Sequence, residues 1–201
     1  MQGLRQIGRR LSREQDGATL VEFAIIAPTF MIMLMGVFDL GHSIYVRAVM
    51  NGAMHEAARD STLESGPAAE SAIDGRVTDM VHHIVSGADL QFERKSYYDF
   101  TDVERAETIN DSNANGTCDT GETFEDENNN GVWDADIGAA GFGGARDIIM
   151  YTVTVTYDRL FPLYGLIGMD SQNTMQFSTV LKNQPYAQQN EAAVPETKPC
   201  P

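Results

Sequence analysis

Asp111, Asn113, Asn115, Asp119 and Glu122 fall at positions one, three, five, nine and twelve of a twelve-residue stretch with Gly116 at six and an apolar Cys118 at eight. Oxygen-bearing side chains in those places, with Thr117 offering its backbone carbonyl at seven, are the pattern of a loop that wraps one calcium ion. Alternating Asp and Asn bring hard oxygens to one point, the glycine permits a sharp turn, and the last glutamate can close the shell with both oxygens. Fifteen residues later the theme returns as Asp126, Asn128, Asn130, Gly131, Val132 and Asp134, with Val132 in the carbonyl position. Position twelve is then Ile137, so the second loop lacks its closing carboxylate unless Asp136 replaces it. Two readings stand. Calcium is the expected cofactor if these are metal loops, the second weaker or sharing ligands with the first. Otherwise the stretch is a solvated Asn/Asp/Gly loop whose composition avoids helix and strand. No amphipathic helix flanks either loop, which argues against a helix-loop-helix sensor and for an ion that staples an insertion.

The elements that must carry this insertion are legible on either side of it. Ile73, Val77, Met80 and Ile84 recur at helical spacing and predict a second, amphipathic helix over 69–84. Residues 90–100 alternate well enough for a strand, with a turn expected around Lys95. Residues 148–157, Ile-Ile-Met-Tyr-Thr-Val-Thr-Val-Thr-Tyr, are β-branched or aromatic at most positions and form the clearest strand, and 174–181 offers another. The fold class is therefore α+β, with a small antiparallel sheet. Cys118 and Cys200 are too few for a disulfide framework. Either they form one bridge, or Cys118 turns inward as a small apolar residue and Cys200 belongs to a loose tail.

Ahead of all this stands a different kind of segment. Arg5, Arg9, Arg10 and Arg13 precede Ala18–Phe38, twenty-one residues with Glu22 as their single charge. That length matches the ~20 residues a helix needs to cross a ~30 Å hydrocarbon core. The helical pattern continues through Val46, Met50, Met54 and Ala58, unlike the short apolar region of an ordinary secretory signal. The arginine cluster favours the cytoplasm, so residues beyond about 39 are expected outside it. An acidic side chain at a helix centre in lipid costs about 2.5–3.5 kcal/mol on insertion scales. Glu22 lies only one turn inside, so it either reaches water at the headgroup boundary or has a function that justifies its place. Pro28 is expected to kink or loosen this helix, and Asp39 and His42 mark its exit to water.

Gly17 followed by four residues, then Glu22 and the aromatic Phe23 at the mouth of an apolar helix, resembles the prepilin-peptidase site of type IV pilins, especially the Flp/Tad subclass. The run Gly17-Ala-Thr-Leu-Val-Glu-Phe-Ala-Ile-Ile-Ala-Pro-Thr-Phe, then Phe38-Asp-Leu-Gly, Ala57-Ala-Arg and Lys182-Asn-Gln-Pro-Tyr186, is similar to TadE-like minor pseudopilins. The resemblance is strong over the first sixty residues, weak over the last forty, and absent from roughly 100–145. It implies cleavage between Gly17 and Ala18, leaving Glu22 as the fifth residue of the mature chain. That carboxylate could then compensate the new amino terminus in its own chain or in a neighbouring subunit. It also implies a structural subunit of a Tad-type pilus that serves pilus biogenesis, adhesion or secretion. The implied partners are a prepilin peptidase, other pilins and pseudopilins, and the Tad inner-membrane assembly machinery. The implied location is the bacterial inner membrane, single-pass with a cytoplasmic amino terminus and a periplasmic head, or the outside of the cell when carried in a pilus. Two alternatives are a permanently anchored, calcium-stabilised binding or adhesion module and a regulator of pilus assembly that is never incorporated.

These readings divide the chain into a leader (1–17), an anchor helix (18–60), an external α+β head (61–186) with the insertion at 108–138, and a tail (187–201) expected to be disordered unless a bridge ties it down. The formal net charge is −15, and removing 1–17, with four basic and two acidic residues, takes it to −17. Nucleic acid and anionic lipid are unsuitable partners for such a surface. No catalytic constellation is expected either. His55-Glu56-Ala-Ala-Arg59 lacks the second histidine of a helical zinc site, and His82 and His83, being adjacent, point in different directions on a helix.

Overall fold

Apolar residues recur at helical spacing from Ala18 past Met54, and in the computed structural model of the protein this stretch is one helix, α1, Asp16–Ser61. The residues described are 16–63, 65, 67–161, 163–166, 168, 170–190 and 194–200. The expected leader therefore lies outside the described residues except for Asp16 and Gly17, which already belong to α1. Pro28 lies inside the helix and does not end it. Among the described residues α1 is the one helix long and apolar enough to cross a membrane.

The chain forms two compact units. One is the described part of Met1–Tyr45 with Arg159–Ser171, and the other is Val46–Asp158 with Gln172–Pro201. The boundary between the units falls inside α1, whose last turns are built into the second unit. There Val46, Met50, Ala53, Met54 and Ala57 are buried together with Ile73, Val77 and Val81 of helix α2, Glu70–His82.

These helical stripes pack on a four-stranded antiparallel sheet of order β3-β1-β4-β5. Its members are β1 (Asp89–Tyr97), β3 (Ala139–Ala140), β4 (Ile148–Asp158) and β5 (Gln172–Lys182). Central β4 pairs Val153 with Phe92 on one side and with Phe177 on the other. Its alternate residues Tyr151, Val153, Val155 and Tyr157 supply the sheet's share of the core. The turn expected around Lys95 does not occur. Lys95 stays in β1, opposite Met150, because pairing with β4 runs without a break from Asp89 to Tyr97.

One charged cluster locks α2 to the sheet. The Arg94 guanidinium, nearly inaccessible to solvent, pairs with Asp74 and with Glu70 at 3.2 Å, and lies over the rings of Tyr151 (4.3 Å) and Phe142 (4.8 Å). The Tyr151 hydroxyl donates to Asp74 at 2.9 Å, and burial pushes that phenol's pKa up.

A second sheet pairs β2 (Thr123–Asp126) with β6 (Glu196–Pro199). Strand β6 lies in the tail 187–201, expected to be loose unless a bridge ties it down; of that tail 191–193 and 201 lie outside the described residues. Glu196–Pro199 is held as a strand, and Cys200 is joined to Cys118 by a disulfide.

Candidate functional site

The insertion is built as two copies of one local design. In the first, the Asp111 carboxylate accepts from the backbone N–H groups of Gly116 (2.7 Å) and Asn115 (3.2 Å). Asn113 and Asn115 turn their side-chain amides to Asp119 at 2.9 and 2.6 Å. The Asn115 side-chain oxygen accepts from the Thr117 N–H at 2.8 Å and hydroxyl at 2.7 Å. In the second, Asp126 accepts from Gly131 (2.8 Å) and Asn130 (3.1 Å), Asn128 and Asn130 turn to Asp134, and the Asn130 oxygen accepts from Val132 N–H at 2.7 Å. Gly116 and Gly131 both have positive φ, +76° and +84°, where a Cβ would be strained. These donors hold the carboxylates ionised. The Gly116 N–H lowers the Asp111 pKa foremost, and the Asn113 and Asn115 amides lower that of Asp119.

The closing glutamates reveal what spacing missed. Glu122 accepts from Ser112 N–H (2.9 Å) and Asp119 N–H (3.1 Å), clamping the first loop. Glu107 accepts from Glu127 N–H (2.9 Å) and Asp134 N–H (2.9 Å), the equivalent groups of the second loop. The carboxylate absent at Ile137 is therefore supplied from upstream. Asp136, the expected replacement, is engaged elsewhere, with Lys95 at 2.7 Å, the Tyr97 hydroxyl at 3.1 Å and Gly138 N–H at 3.1 Å. A signal for Glu107 was present, since Glu107-Thr-Ile-Asn-Asp111 and Glu122-Thr-Phe-Glu-Asp126 begin the same repeat. The repeats meet antiparallel through Ile109 and Phe124, so each one's leading glutamate serves the other's loop.

The loops differ in charge. Asp126 is fully buried, and the Lys198 ammonium of β6 pairs with it and lowers its pKa foremost, so the second loop carries a cation of its own. Asp111 has only amide donors. Among the described residues no group of three or more His, Cys, Asp or Glu is gathered so as to hold a metal ion. The first loop carries hard oxygens on Asp, Asn and Glu with a carbonyl at Thr117, half of them from groups other than acids, a chemistry compatible with calcium.

In the anchor, Gly17, Glu22 and Phe23 lie in the first turns of α1 and are exposed, and nothing is described of the Ala18 side chain. The exposed large residues of α1 include Leu20, Phe23, Ile25, Ile26, Phe30 and Met33, which leaves no polar face over these turns. Asp39, expected with His42 to mark the exit of the helix to water, is almost fully buried. It accepts from Arg159 at 3.1 Å, the Leu160 N–H at 3.2 Å and the Tyr164 hydroxyl at 3.0 Å. No spacing rule links residues 39 and 159.

A helix near the amino terminus that is long and apolar enough to span a bilayer, leading into an α+β head, suggests a membrane anchor. Residues 17–59 match the family model of TadE-like protein, so this segment is similar to TadE-like proteins. The match covers about a fifth of the chain and suggests a Tad pilus-associated protein. No curated protein and no solved structure matches it.

Proposed function

We propose that the protein is a minor pseudopilin of a Tad-type pilus, inserted through α1, cut by a prepilin peptidase between Gly17 and Ala18, and contributing to pilus biogenesis, adhesion or secretion. The observation that carries this reading is the TadE-like segment 17–59, which begins at Gly17 and continues into a helix whose first half is apolar and exposed on all sides. A filament subunit needs such a surface for lipid before assembly and for neighbouring helices after it. Cleavage places the new amino terminus one turn from Glu22, where the two charges offset each other in a medium that solvates neither. The head faces the periplasm, and its partners are the peptidase, other pilins and the inner-membrane assembly machinery.

The head's insertion binds calcium at the first loop, with Asp111, Asn113, Asn115, Thr117 and Asp119 around the ion and Glu122 closing the shell. Lys198 already neutralises Asp126, so calcium at the second loop must displace an ammonium and binds more weakly, with Glu107 in the closing role. Millimolar extracellular calcium suffices for sites of this class.

Mass spectrometry of the mature amino terminus tests the main reading. A chain beginning at Ala18 supports it, and an intact Met1 in cells with an active prepilin peptidase overturns it in favour of a permanently anchored module. Calcium titration followed by Trp133 fluorescence tests the loops. No change in emission or thermal stability up to ~10 mM, above the range of weak extracellular modules, sinks the calcium reading.

A further inference from the structure

The connection Arg159–Ser171 between β4 and β5 is unusual for a hairpin. Such loops commonly have two to five residues and turn-forming polar side chains. Here the sequence from Leu160 to Met169 is Leu-Phe-Pro-Leu-Tyr-Gly-Leu-Ile-Gly-Met, without a charge, bracketed by Arg159 and Asp170. Its base is closed by Arg159 N–H donating to the Ser171 carbonyl at 2.9 Å. Leu160 is half exposed, which is costly in water for a segment of this composition.

The connection belongs to the same compact unit as the apolar half of α1, and it meets that helix at Asp39, the first charged residue after the apolar run. The contacts at Asp39 compensate and solvate its charge. The Arg159 guanidinium neutralises the carboxylate and lies 4.0 Å over the Tyr164 ring, while the Leu160 N–H and Tyr164 hydroxyl take up further lone pairs. An aspartate facing water needs none of this, whereas one at the edge of hydrocarbon does. Tyrosine is also a residue of membrane boundaries, with an apolar ring and a polar tip.

We propose that Arg159–Ser171 is a second membrane-contacting element, seated in the interfacial layer of one leaflet beside α1 and clasped there by Asp39. The occupant against the half-exposed Leu160 is lipid, argued from that residue's contact with Asp39 at the end of the exposed apolar run of α1 and from its place in the same compact unit. The proposal rests on α1 being a membrane anchor. It means that the head is tethered at two points in sequence, through α1 and through the β4–β5 connection.

Depth-dependent quenching in the full chain tests it. The native cysteines are joined to each other, so a single added thiol takes an environment-sensitive fluorophore. Leu160→Cys, Ile32→Cys and Val132→Cys are labelled separately and reconstituted in phosphatidylcholine–phosphatidylglycerol vesicles carrying nitroxide near the headgroup or deep in the acyl chain. An interfacial element lies ~5–10 Å into the headgroup boundary. The expected result is therefore quenching at 160 at least about twofold stronger by the shallow nitroxide than by the deep one. Position 32 should show the reverse, and 132 neither. Adding Asp39→Ala should remove the shallow quenching at 160 and leave that at 32, with Trp133 emission reporting a folded head. Quenching at 32 but not at 160 overturns the proposal while the anchor stands. A blue-shifted label at 160 without lipid quenching overturns it in favour of cover by a second copy. Absence of quenching at both positions overturns anchor and proposal together.

Discussion

The two halves of α1 are both rich in apolar residues, yet they are satisfied in opposite ways. From Leu20 to Met33 the large side chains point outward on every face, Phe23 at 71% exposure and Met33 at 70%. From Val46 to Ala57 a single stripe is buried, with Met50 at 0%, while His55 and Glu56 occupy the other faces. A helix apolar all round suits lipid or other helices, and one with a stripe suits a sheet. The difference teaches that apolar content does not identify a helix's surroundings, whereas its distribution around the axis does. The insertion uses a third means, with neither lipid nor a large apolar core, and is held by carboxylate clamps and a disulfide.

The largest expected effect separates the halves of α1. Met50→Asp buries a carboxylate without a partner and should cost more than about 4 kcal/mol, abolishing the head's thermal transition followed by Trp133. Ile32→Asp should leave that transition in place and weaken membrane insertion by about 2.5–3.5 kcal/mol, read from the fraction recovered with membranes. Equal loss of the transition in both variants would erase the contrast. Next, Cys200→Ser opens a disulfide across a sequence separation of 82 residues. It should lower the denaturant midpoint by the equivalent of roughly 4 kcal/mol, with β6 exchanging its amide hydrogens first.

Smaller effects concern the clamps. Glu107→Gln keeps the shape but loses a charged acceptor from two N–H groups, and about 1.5–3 kcal/mol of local stability is expected to go. Hydrogen exchange at Asp134 and Glu127 should accelerate while Asp119 and Ser112 stay protected, and acceleration at both pairs would break the assignment of one glutamate to each loop. The smallest effect is with pH. The Arg105 guanidinium, 2.8 Å from Glu127, holds the Glu127 carboxyl below its ordinary range. A depressed folded-state pKa contributes stability that is present above the unfolded value and lost as pH falls through the folded one. Lowering pH below about 4.3, the free glutamate value, should therefore loosen the insertion. With both partners partly exposed the pair is worth at most about 1 kcal/mol, and a melting temperature flat down to pH 3 would show that it is worth nothing.

Legibility in the sequence followed the range of the interaction. The strand at 148–158 and the helix through Met50 announce themselves by local composition and period, and they take their expected form. Ala139–Ala140 has no strand signature, since two small residues pair with β1 merely by being brought there. Glu196–Pro199 has the composition of a loose tail and becomes a strand because β2 and the disulfide fix it. Glu107 escaped because the calcium-loop pattern is read forward from its first aspartate, whereas the carboxylate that clamps the second loop comes from the preceding repeat. Asp39 and Arg159 form their pair only once the chain has folded, and no periodicity records that.

The exchange of glutamates between repeats also limits how the insertion can change. A single fifteen-residue unit would keep its loop and lose the carboxylate that closes it, leaving unpaired N–H groups at both ends of the turn. Two units are thus the smallest version that closes on itself. Added or deleted singly, a repeat would leave one loop open, so this region is expected to grow or shrink only in pairs.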